Sequence, residues 1–238
     1  MNNYSIMDIG ELIKGNPYVG RGIVAGLSES GKYACAAYFI MGRSENSRNR
    51  VFAMENGALF TKAFDESKVR DPRLIIYAAM RQEGGDLIVT NGDQTDTIYN
   101  GLKEGKSFSE ALKEREFEPD APNFTPRISA ILHLDGDFCY EMSILKSADE
   151  KGSACNRYTF DYTPIKGLGH FIHTYVTDGN PLPTFLGEPE RVFIPDEQEK
   201  FAETLWNNLD SDNKISLFVR YIDLKSGENK DILINKNV

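Results

Sequence analysis

A concentration of arginine marks residues 42–50, which read GRSENSRNR. Arg43, Arg48 and Arg50 fall within this segment, in a chain whose formal net charge is −9. A guanidinium group can hold phosphate or carboxylate oxygens through two parallel hydrogen bonds. We therefore interpret this arginine segment as an anion-binding loop between two strands. A solvated loop that is merely basic is the alternative.

Three other polar segments carry groups that such a site would need. They are residues 91–97, residues 116–125 with the following Arg127, and residues 166–175. Each borders a predicted strand, and together they offer amides, hydroxyls, carboxylates and cations. If the fold brings them beside the arginine segment, they will surround one anionic, hydrogen-bonding ligand.

Other kinds of catalytic site find little support in the sequence. His133, His170 and His173 have no partners at the spacing of zinc ligands, so we expect no metal site. The glycine-rich loops of nucleotide-binding folds and the Gly-x-Ser-x-Gly turn of serine hydrolases are absent. An N-terminal nucleophile enzyme exposes Cys, Ser or Thr as its first residue. This sequence instead starts Met-Asn-Asn, with no evident processing site before a nucleophile.

Composition narrows the class of protein and its partners. The 238 residues are 40% hydrophobic and 26% charged, which is typical of a globular chain. The acidic balance argues against nucleic acid as a partner. No apolar run reaches the ~18 residues of a membrane span and no secretory signal is evident, so we expect a cytoplasmic protein without a membrane partner. Cys35, Cys139 and Cys155 fit reduced core residues in that compartment.

The elements that would position these segments are mostly strands in hairpins. Predicted pairs stand on either side of the arginine segment, residues 18–27 with 32–41 and residues 51–54 with 58–64. The second pair flanks Asn56-Gly57, the strongest short signal for a hairpin. Further strands are predicted on to the end of the chain, about ten in all, without the alternation of strand and helix that parallel sheets require.

Predicted helices come singly, at residues 5–14, 71–83, 107–115 and 196–209. Asp71-Pro72 would cap and start the second, and Ser107 with Glu110 would cap the third. No linker interrupts the chain, so we predict one α+β domain over residues 1–238, least defined after Asp196. Two packed antiparallel sheets with helices outside them fit this pattern.

Four motifs then identify a relationship. They are NPYVGRG at residues 16–22, GRSxxSRNR at residues 42–50, NGxQTDTI at residues 91–98 and NxTPRI at residues 123–128. In this order they resemble the archaeal-type inosine monophosphate (IMP) cyclohydrolase family, over roughly residues 16–190 of the chain. The stretch after Asp196 has no counterpart in that resemblance.

The resemblance implies a fold, a reaction and a substrate. The fold would be a four-layer αββα sandwich like that of N-terminal nucleophile hydrolases, without their nucleophile. The reaction would close the ring of a formamido-imidazole-carboxamide ribotide, with loss of water, to give inosine monophosphate in purine biosynthesis. The partner is then a small phosphorylated ribotide, and no metal or organic cofactor is required.

Candidate site residues follow from the resemblance and from what ring closure needs. The catalytic candidates are Arg43, Tyr77 and Glu118. The substrate-binding candidates are Arg21, Arg48, Arg50, Asn91, Thr95 and Arg127. The arginines would hold the phosphate, and the two polar residues of the NGxQTDTI motif would bond the heterocycle or the ribose.

Each candidate also has a purely structural interpretation. The arginines can be surface or ion-paired groups, Tyr77 a core aromatic residue and Glu118 a solvated carboxylate. Asn91 and Thr95 can simply form a turn, and Arg127 can pair with Glu118 or Asp120 to hold a loop.

Two other functions stay open at this point. One is an amide hydrolase of the N-terminal nucleophile type, and the other is a purine-nucleotide-binding protein without catalysis. The sequence does not decide the oligomeric state, and a homo-oligomer is one of the open outcomes. It also does not decide whether a formyltransferase activity is present.

Overall fold

The structure, a computed structural model, describes residues 4–69 and 76–238. Thirteen strands lie within those residues: β1 (Arg21–Leu27), β2 (Tyr33–Met41), β3 (Arg50–Glu55), β4 (Ala58–Ala63), β5 (Tyr77–Glu83), β6 (Asp86–Thr90), β7 (Arg127–His133), β8 (Cys139–Ser147), β9 (Cys155–Tyr162), β10 (Leu168–His173), β11 (Glu190–Phe193), β12 (Lys214–Asp223) and β13 (Asn229–Asn235). They form two sheets, sheet A in the order β11-β10-β1-β2-β12-β13 and sheet B in the order β3 to β9.

Every strand in the two sheets pairs with its neighbours in the antiparallel direction. Sheet B is a meander of consecutive hairpins, and the predicted hairpin around Asn56-Gly57 is confirmed as β3 and β4. In sheet A the β1–β2 hairpin lies at the centre, with later strands added on each side. The stretch after Asp196 therefore contributes to this sheet, because β12 pairs with β2 from Tyr33 to Met41.

Within residues 4–69 and 76–238, five short α-helices accompany the sheets: α1 (Ile9–Ile13), α2 (Glu45–Arg48), α3 (Gln94–Lys103), α4 (Phe108–Ala111) and α5 (Gln198–Asn208). Single 3₁₀ turns occur at Glu66–Lys68 and Leu112–Glu114. Within the described residues, none of the helices has the length and apolar character to cross a membrane.

The core lies in three layers of apolar contact. Alternate residues of β1 divide between them, since Ile23 faces a cluster shared by the two sheets and Val24 faces the opposite side. That opposite side of sheet A packs against α1 and α5 through Ile9 and Phe201. The outer side of sheet B packs against α3 and α4, where Ile98 is fully buried. The arrangement is α+β and mostly antiparallel, and it is consistent with the predicted sandwich.

The helix predicted over residues 71–83 is wrong where the structure describes it. Asp71-Pro72 lies outside the described residues, but Tyr77–Glu83 form strand β5 between β4 and β6. Residues 77–80 are all buried, because the core covers one face of the sheet and α3 packs on the other. Burial on both faces removes the alternation that identifies a strand, and a short apolar run then resembles a buried helix.

Smaller corrections concern helix starts. Residues 94–97, expected as part of a polar loop, form the first turn of α3. Helix α1 is capped by Asp8 rather than Ser5, and α5 begins after Glu197 rather than Asp196, whose carboxylate accepts hydrogen bonds from Ser30. The capping box of Ser107 and Glu110 is confirmed at α4.

Candidate active site

Two adjoining cavities lie beside the arginine segment. The larger, of about 310 Å³, is lined by Tyr18, Arg21, Arg43, Ser44, Asn46, Ser47, Arg50, Asp120, Asn123, Thr125, Tyr175 and Leu182. The smaller, of about 70 Å³, is lined by Arg21, Tyr77, Asn91, Gly92, Asp93, Glu118, Asp120 and Thr125. Arg21, Asp120 and Thr125 line both, so the two cavities meet at these side chains. All four polar segments of the sequence contribute to the walls.

The arginine segment connects the two sheets, since it leaves β2 of sheet A and enters β3 of sheet B. Its middle forms α2, with a capping box between Ser44 and Ser47. Gly42 lets the segment fold back on itself, because a Cβ there would lie 2.6 Å from Ser47 Oγ. The segment is therefore an ordered wall of the larger cavity, with its backbone fixed at both ends by strands.

The three arginines of this segment have different environments. Arg43 lies at the larger cavity, forms an ion pair with Asp178, and donates from Nη1 to the carbonyl of Gly179 at 2.8 Å. Arg50 is buried and donates to two backbone carbonyls, from Nε to Ser47 at 2.7 Å and from Nη2 to Met41 at 3.0 Å.

Arg48 points elsewhere and lines neither cavity. It is exposed, donates from Nε to the carbonyl of Gly42 at 3.1 Å, and donates from Nη2 to Asn213 at 2.8 Å. Its contacts therefore fasten the arginine segment to the turn before β12.

Arg21 begins β1 at the junction of the two cavities. The preceding Gly20 has φ of 80°, and a Cβ there would lie 2.1 Å from Thr174 Oγ1, so this position needs glycine. The same approach lets Thr174 Oγ1 accept a hydrogen bond from the Arg21 amide at 3.1 Å. Arg21 Nε is buried without a hydrogen-bond partner, and Arg21 forms no ion pair with any residue that the structure describes.

Arg21 and Arg50 form a pair of like charges. Burial, together with the charge of Arg21, lowers the pKa of Arg50. Burial also opposes the charge of Arg21, but the phenolic groups of Tyr18 and Tyr175 leave its pKa above the ordinary value. Two neighbouring cations without a carboxylate partner among the described residues are a suitable place for an anion.

Tyr77 reaches the smaller cavity from β5. Its hydroxyl lies 2.8 Å from the hydroxyl of Tyr38 on β2, and the two phenols link sheet B to sheet A. Burial holds the pKa of Tyr38 well above its ordinary value. Tyr38 therefore stays neutral near pH 7 and can donate a proton into the hydrogen bond with Tyr77.

Glu118 enters the smaller cavity on the loop between α4 and β7. Its backbone N–H donates to the carbonyl of Thr125 at 2.9 Å, and its carboxylate forms an ion pair with Arg127, with Oε1 2.9 Å from Nη1. Burial raises the pKa of Glu118, although Arg127 and Arg21 act in the opposite direction. A carboxyl group with a raised pKa is better suited to exchange a proton near neutral pH.

Arg127 supports the site from behind, because it lines neither cavity. It forms an ion pair with Glu118, and its Nη1 donates to Asp93 and to Gln94, both at 2.7 Å. Of the two partners proposed for Arg127 in the sequence, the structure places Glu118 against it and gives Asp120 other bonds. Gly92 permits this crowding, since a Cβ there would lie 2.8 Å from Arg127 Nη1.

Asn91 and Thr95, the two candidates of the NGxQTDTI motif, form hydrogen bonds within the protein. Asn91 Nδ2 donates to the carbonyl of Pro126 at 2.9 Å, and its Oδ1 accepts from the amide of Ile128 at 2.9 Å. Thr95 is fully buried, lines neither cavity, and bonds Thr90 Oγ1 at 2.7 Å. Asn91 lines the smaller cavity, with its side chain engaged in joining the start of α3 to β7.

Several lining residues were not candidates in the sequence. Tyr18 and Tyr175 stack with ring centroids 5.9 Å apart, and the Arg43 guanidinium lies 5.1 Å from the centroid of Tyr18. Asp120 and Thr125 bond each other on the loop that carries Glu118. Tyr18 and Thr125 belong to recognised motifs, which was a usable signal, whereas the only signal for Tyr175 was its place at the end of the polar segment 166–175.

The three histidines line neither cavity. Across the described residues, no group of three or more His, Cys, Asp or Glu side chains is arranged to hold a metal ion. Arginine, tyrosine and carboxylate side chains are prominent among the residues that line the two cavities.

The amino-acid sequence is similar to a known family of proteins. A family model described as IMP cyclohydrolase-like protein matches residues 18–228. The IMP cyclohydrolase of Methanopyrus kandleri is 36% identical over 124 residues, which are 50% of this chain and 60% of that protein. That of Methanosphaera stadtmanae is 30% identical over the same shares. That of Methanococcus aeolicus is 29% identical over 163 residues, 66% of this chain and 74% of that protein. The chain thus spans about 60% of the length of the first two relatives.

Proposed function

The chain belongs to the IMP cyclohydrolase-like protein family, as its motifs predicted, and we propose that it is itself an IMP cyclohydrolase. The substrate would be 5-formamido-imidazole-4-carboxamide ribotide, and the product inosine monophosphate. The observation that carries this proposal is the pair of cavities that meet at Arg21. One has arginines suited to a phosphate, and the other has Tyr77 and Glu118 suited to proton transfer. The 310 Å³ of the larger cavity is of the size of ordinary small-ligand sites, about 300–1,000 Å³.

Ring closure sets definite chemical requirements. The carboxamide nitrogen forms a bond to the formyl carbon, and the formyl oxygen leaves as water. Its two hydrogens come from the carboxamide nitrogen and the formamide nitrogen, so no oxidant or reductant is needed. An amide nitrogen is a weak nucleophile, so a base, a donor to the formyl oxygen and a fixed substrate conformation all contribute to the rate.

The phosphate would lie in the larger cavity. Arg21 and Arg50 repel each other there, and a phosphate dianion would stabilise both charges. Arg43, now paired with Asp178 at the rim, would turn to the bound substrate and complete the group of cations. Arg48 and Arg127 would act indirectly, by holding the arginine segment and Glu118 in position.

The reacting groups would lie in the smaller cavity. Glu118 would accept a proton from the carboxamide nitrogen, and its raised pKa favours returning that proton to the leaving oxygen. Tyr77 would donate to the formyl oxygen while Tyr38 donates to Tyr77. Asn91 would hold the wall of the cavity around the heterocycle through its bonds to β7.

The finer features of the fold belong to the same proposal. The layering of α1 and α5, two sheets, and α3 with α4 supports the αββα arrangement of N-terminal nucleophile hydrolases. A cytoplasmic location follows from a substrate of purine biosynthesis.

Purified protein and the formamido ribotide test the function directly, with product formation followed by absorbance. The wild-type protein should convert the ribotide to inosine monophosphate. Tyr77→Phe and Glu118→Gln should each lower kcat by about 10²-fold or more, the scale of acid–base catalysis. Arg43→Ala should mainly raise KM. Near-wild-type rates in all three variants would show that these residues are not the site.

Two further outcomes address the alternative functions. Stabilisation by inosine monophosphate in a thermal melt without any turnover would identify a nucleotide-binding protein. Release of formate from the substrate instead of water would identify an amide hydrolase.

A further inference from the structure

One part of the ligand, the ribose, has no partner in the assignment above. If the proposed function holds, the phosphate occupies the larger cavity and the heterocycle the smaller one. The ribose joins these two groups covalently, so it has to pass the side chains that line both cavities. Those are Arg21, Asp120 and Thr125. Of the three, only Asp120 carries a carboxylate, the strongest acceptor for sugar hydroxyls.

The geometry points to Asp120 as the residue that recognises the ribose hydroxyls. Asp120 Oδ1 accepts from the amide of Thr125 at 2.7 Å, and Oδ2 accepts from the hydroxyl of the same residue. An ionised carboxylate has about four lone-pair positions. The two that Thr125 leaves open belong to a side chain that lines both cavities, so we propose that they accept hydrogen bonds from the 2′ and 3′ hydroxyls.

The surroundings of Asp120 fix its direction. Thr125 Oγ1 also bonds the hydroxyl of Tyr175, which is buried and stacked on Tyr18. The backbone carbonyl of Asp120 accepts from the amide of Asn123 at 3.0 Å, which closes the turn behind it. Asp120 thus cannot rotate away without breaking this network, and a fixed acceptor discriminates better than a mobile one.

The other nearby carboxylates are committed elsewhere. Glu118 pairs with Arg127, Asp93 pairs with Arg127 and Arg115, and Asp178 pairs with Arg43. Asp120 forms no ion pair with any residue in the described part of the chain, although it lines the same cavities as Arg21. Hydrogen bonds from the 2′ and 3′ hydroxyls to Asp120 would make the protein prefer ribotides over 2′-deoxyribotides.

The test compares the formamido ribotide with its 2′-deoxy analogue in wild type and in Asp120→Asn. Wild type should prefer the ribotide by about 10-fold or more in kcat/KM, since a hydrogen bond to a charged group is lost in the analogue. In Asp120→Asn this ratio should fall towards one, mostly through loss of activity on the ribotide. A structural defect would instead lower kcat/KM equally for both substrates and leave the ratio unchanged. Asp161→Asn makes the same charge change on exposed β9, away from both cavities, and should keep the wild-type ratio.

Binding of the products separates this inference from the proposed function. Calorimetry should show tighter binding of inosine monophosphate than of 2′-deoxyinosine monophosphate to wild type, and similar binding of both to Asp120→Asn. If wild type turns over the ribotide but treats the two sugars alike, the cyclohydrolase holds and the role of Asp120 is overturned. If there is no turnover but the sugar preference in binding depends on Asp120, the role of Asp120 holds and the cyclohydrolase is overturned. Absence of both turnover and binding overturns both.

Discussion

The unpaired charge of Arg21 gives the sharpest prediction about this protein. Most buried arginines stabilise a fold through ion pairs, and breaking such a pair costs about 3–5 kcal/mol. Arg21 has no such pair among the described residues, its Nε lacks a partner, and it lies near the charge of Arg50. Arg21→Met should therefore leave the free energy of unfolding unchanged or raise it, because it removes repulsion and fills the same space.

The same substitution should damage ligand binding. A hydrogen bond to a charged group is worth about 1.5–3 kcal/mol, so loss of Arg21 should weaken inosine monophosphate binding by roughly 10- to 150-fold. The stabilisation that this ligand gives wild type in a thermal melt should shrink accordingly. Arg48→Met, which removes an arginine outside both cavities, should change binding by less than about five-fold.

Denaturant unfolding and calorimetry on the two variants decide between a ligand-binding and a structural arginine. Destabilisation of Arg21→Met by more than about 2 kcal/mol with unchanged binding would show that Arg21 maintains the fold. Equal loss of binding in both variants would show that arginine charge in general, and not the position of Arg21 at the cavity junction, attracts the phosphate.

Three further outcomes follow from the structure. Because the pKa of Glu118 is raised, wild-type activity should increase with pH through that pKa, and the limb should disappear from the pH–rate profile of Glu118→Gln. Asp178→Asn should release Arg43 and tighten inosine monophosphate binding by up to about five-fold at low salt, as measured by calorimetry; weaker binding would mean that Asp178 positions Arg43 productively. A hydrogen bond to Glu141 is the main cause that raises the pKa of His133 to about 9. Protonated His133 thus contributes to stability below about pH 6.5, and this contribution is lost as the pH rises through about 9. The free energy of unfolding of wild type, measured with urea, should decline in that window, and the decline should be absent in His133→Gln.

Local signals in the sequence predicted the parts of the fold that depend on local structure. Asn56-Gly57 fixes a hairpin wherever it stands between two strands, and Ser107 with Glu110 forms a capping box irrespective of what lies around it. The order of strands in sheet A does not depend on local structure. Strand β12 lies beside β2 because of contacts between residues far apart in sequence. No periodicity within either segment could reveal that neighbour.

The candidate site shows the same division. Arginine in residues 42–50 indicated an anion, and the structure places Arg43 and Arg50 on the larger cavity but Arg48 outside it. Sequence alone could not separate the three, since Arg43 precedes α2, Arg48 ends it and Arg50 begins β3, and only the fold shows which of these positions reach the cavity. As partners for Arg127, Glu118 and Asp120 likewise looked equivalent, two positions apart on one loop. Only the fold shows that Arg127 pairs with Glu118 and that Thr125 holds Asp120.

The distribution of charge explains how an acidic protein can hold an anionic ligand. The chain carries a net charge of −9, yet the carboxylates nearest the cavities are bound to Arg127, to Arg43 or to Thr125. Arg21 at the junction of the two cavities and Arg50 on the larger one form no ion pair with any described residue. A cleft with low-dielectric walls concentrates such a local field, so a small phosphorylated ligand is attracted inside. The acidic surface repels polyanions such as nucleic acid, which are too large to enter. Selection by size and by charge thus comes from the same arrangement, and raising the salt concentration should weaken ligand binding less than it would at an exposed basic surface, because buried charges are screened less.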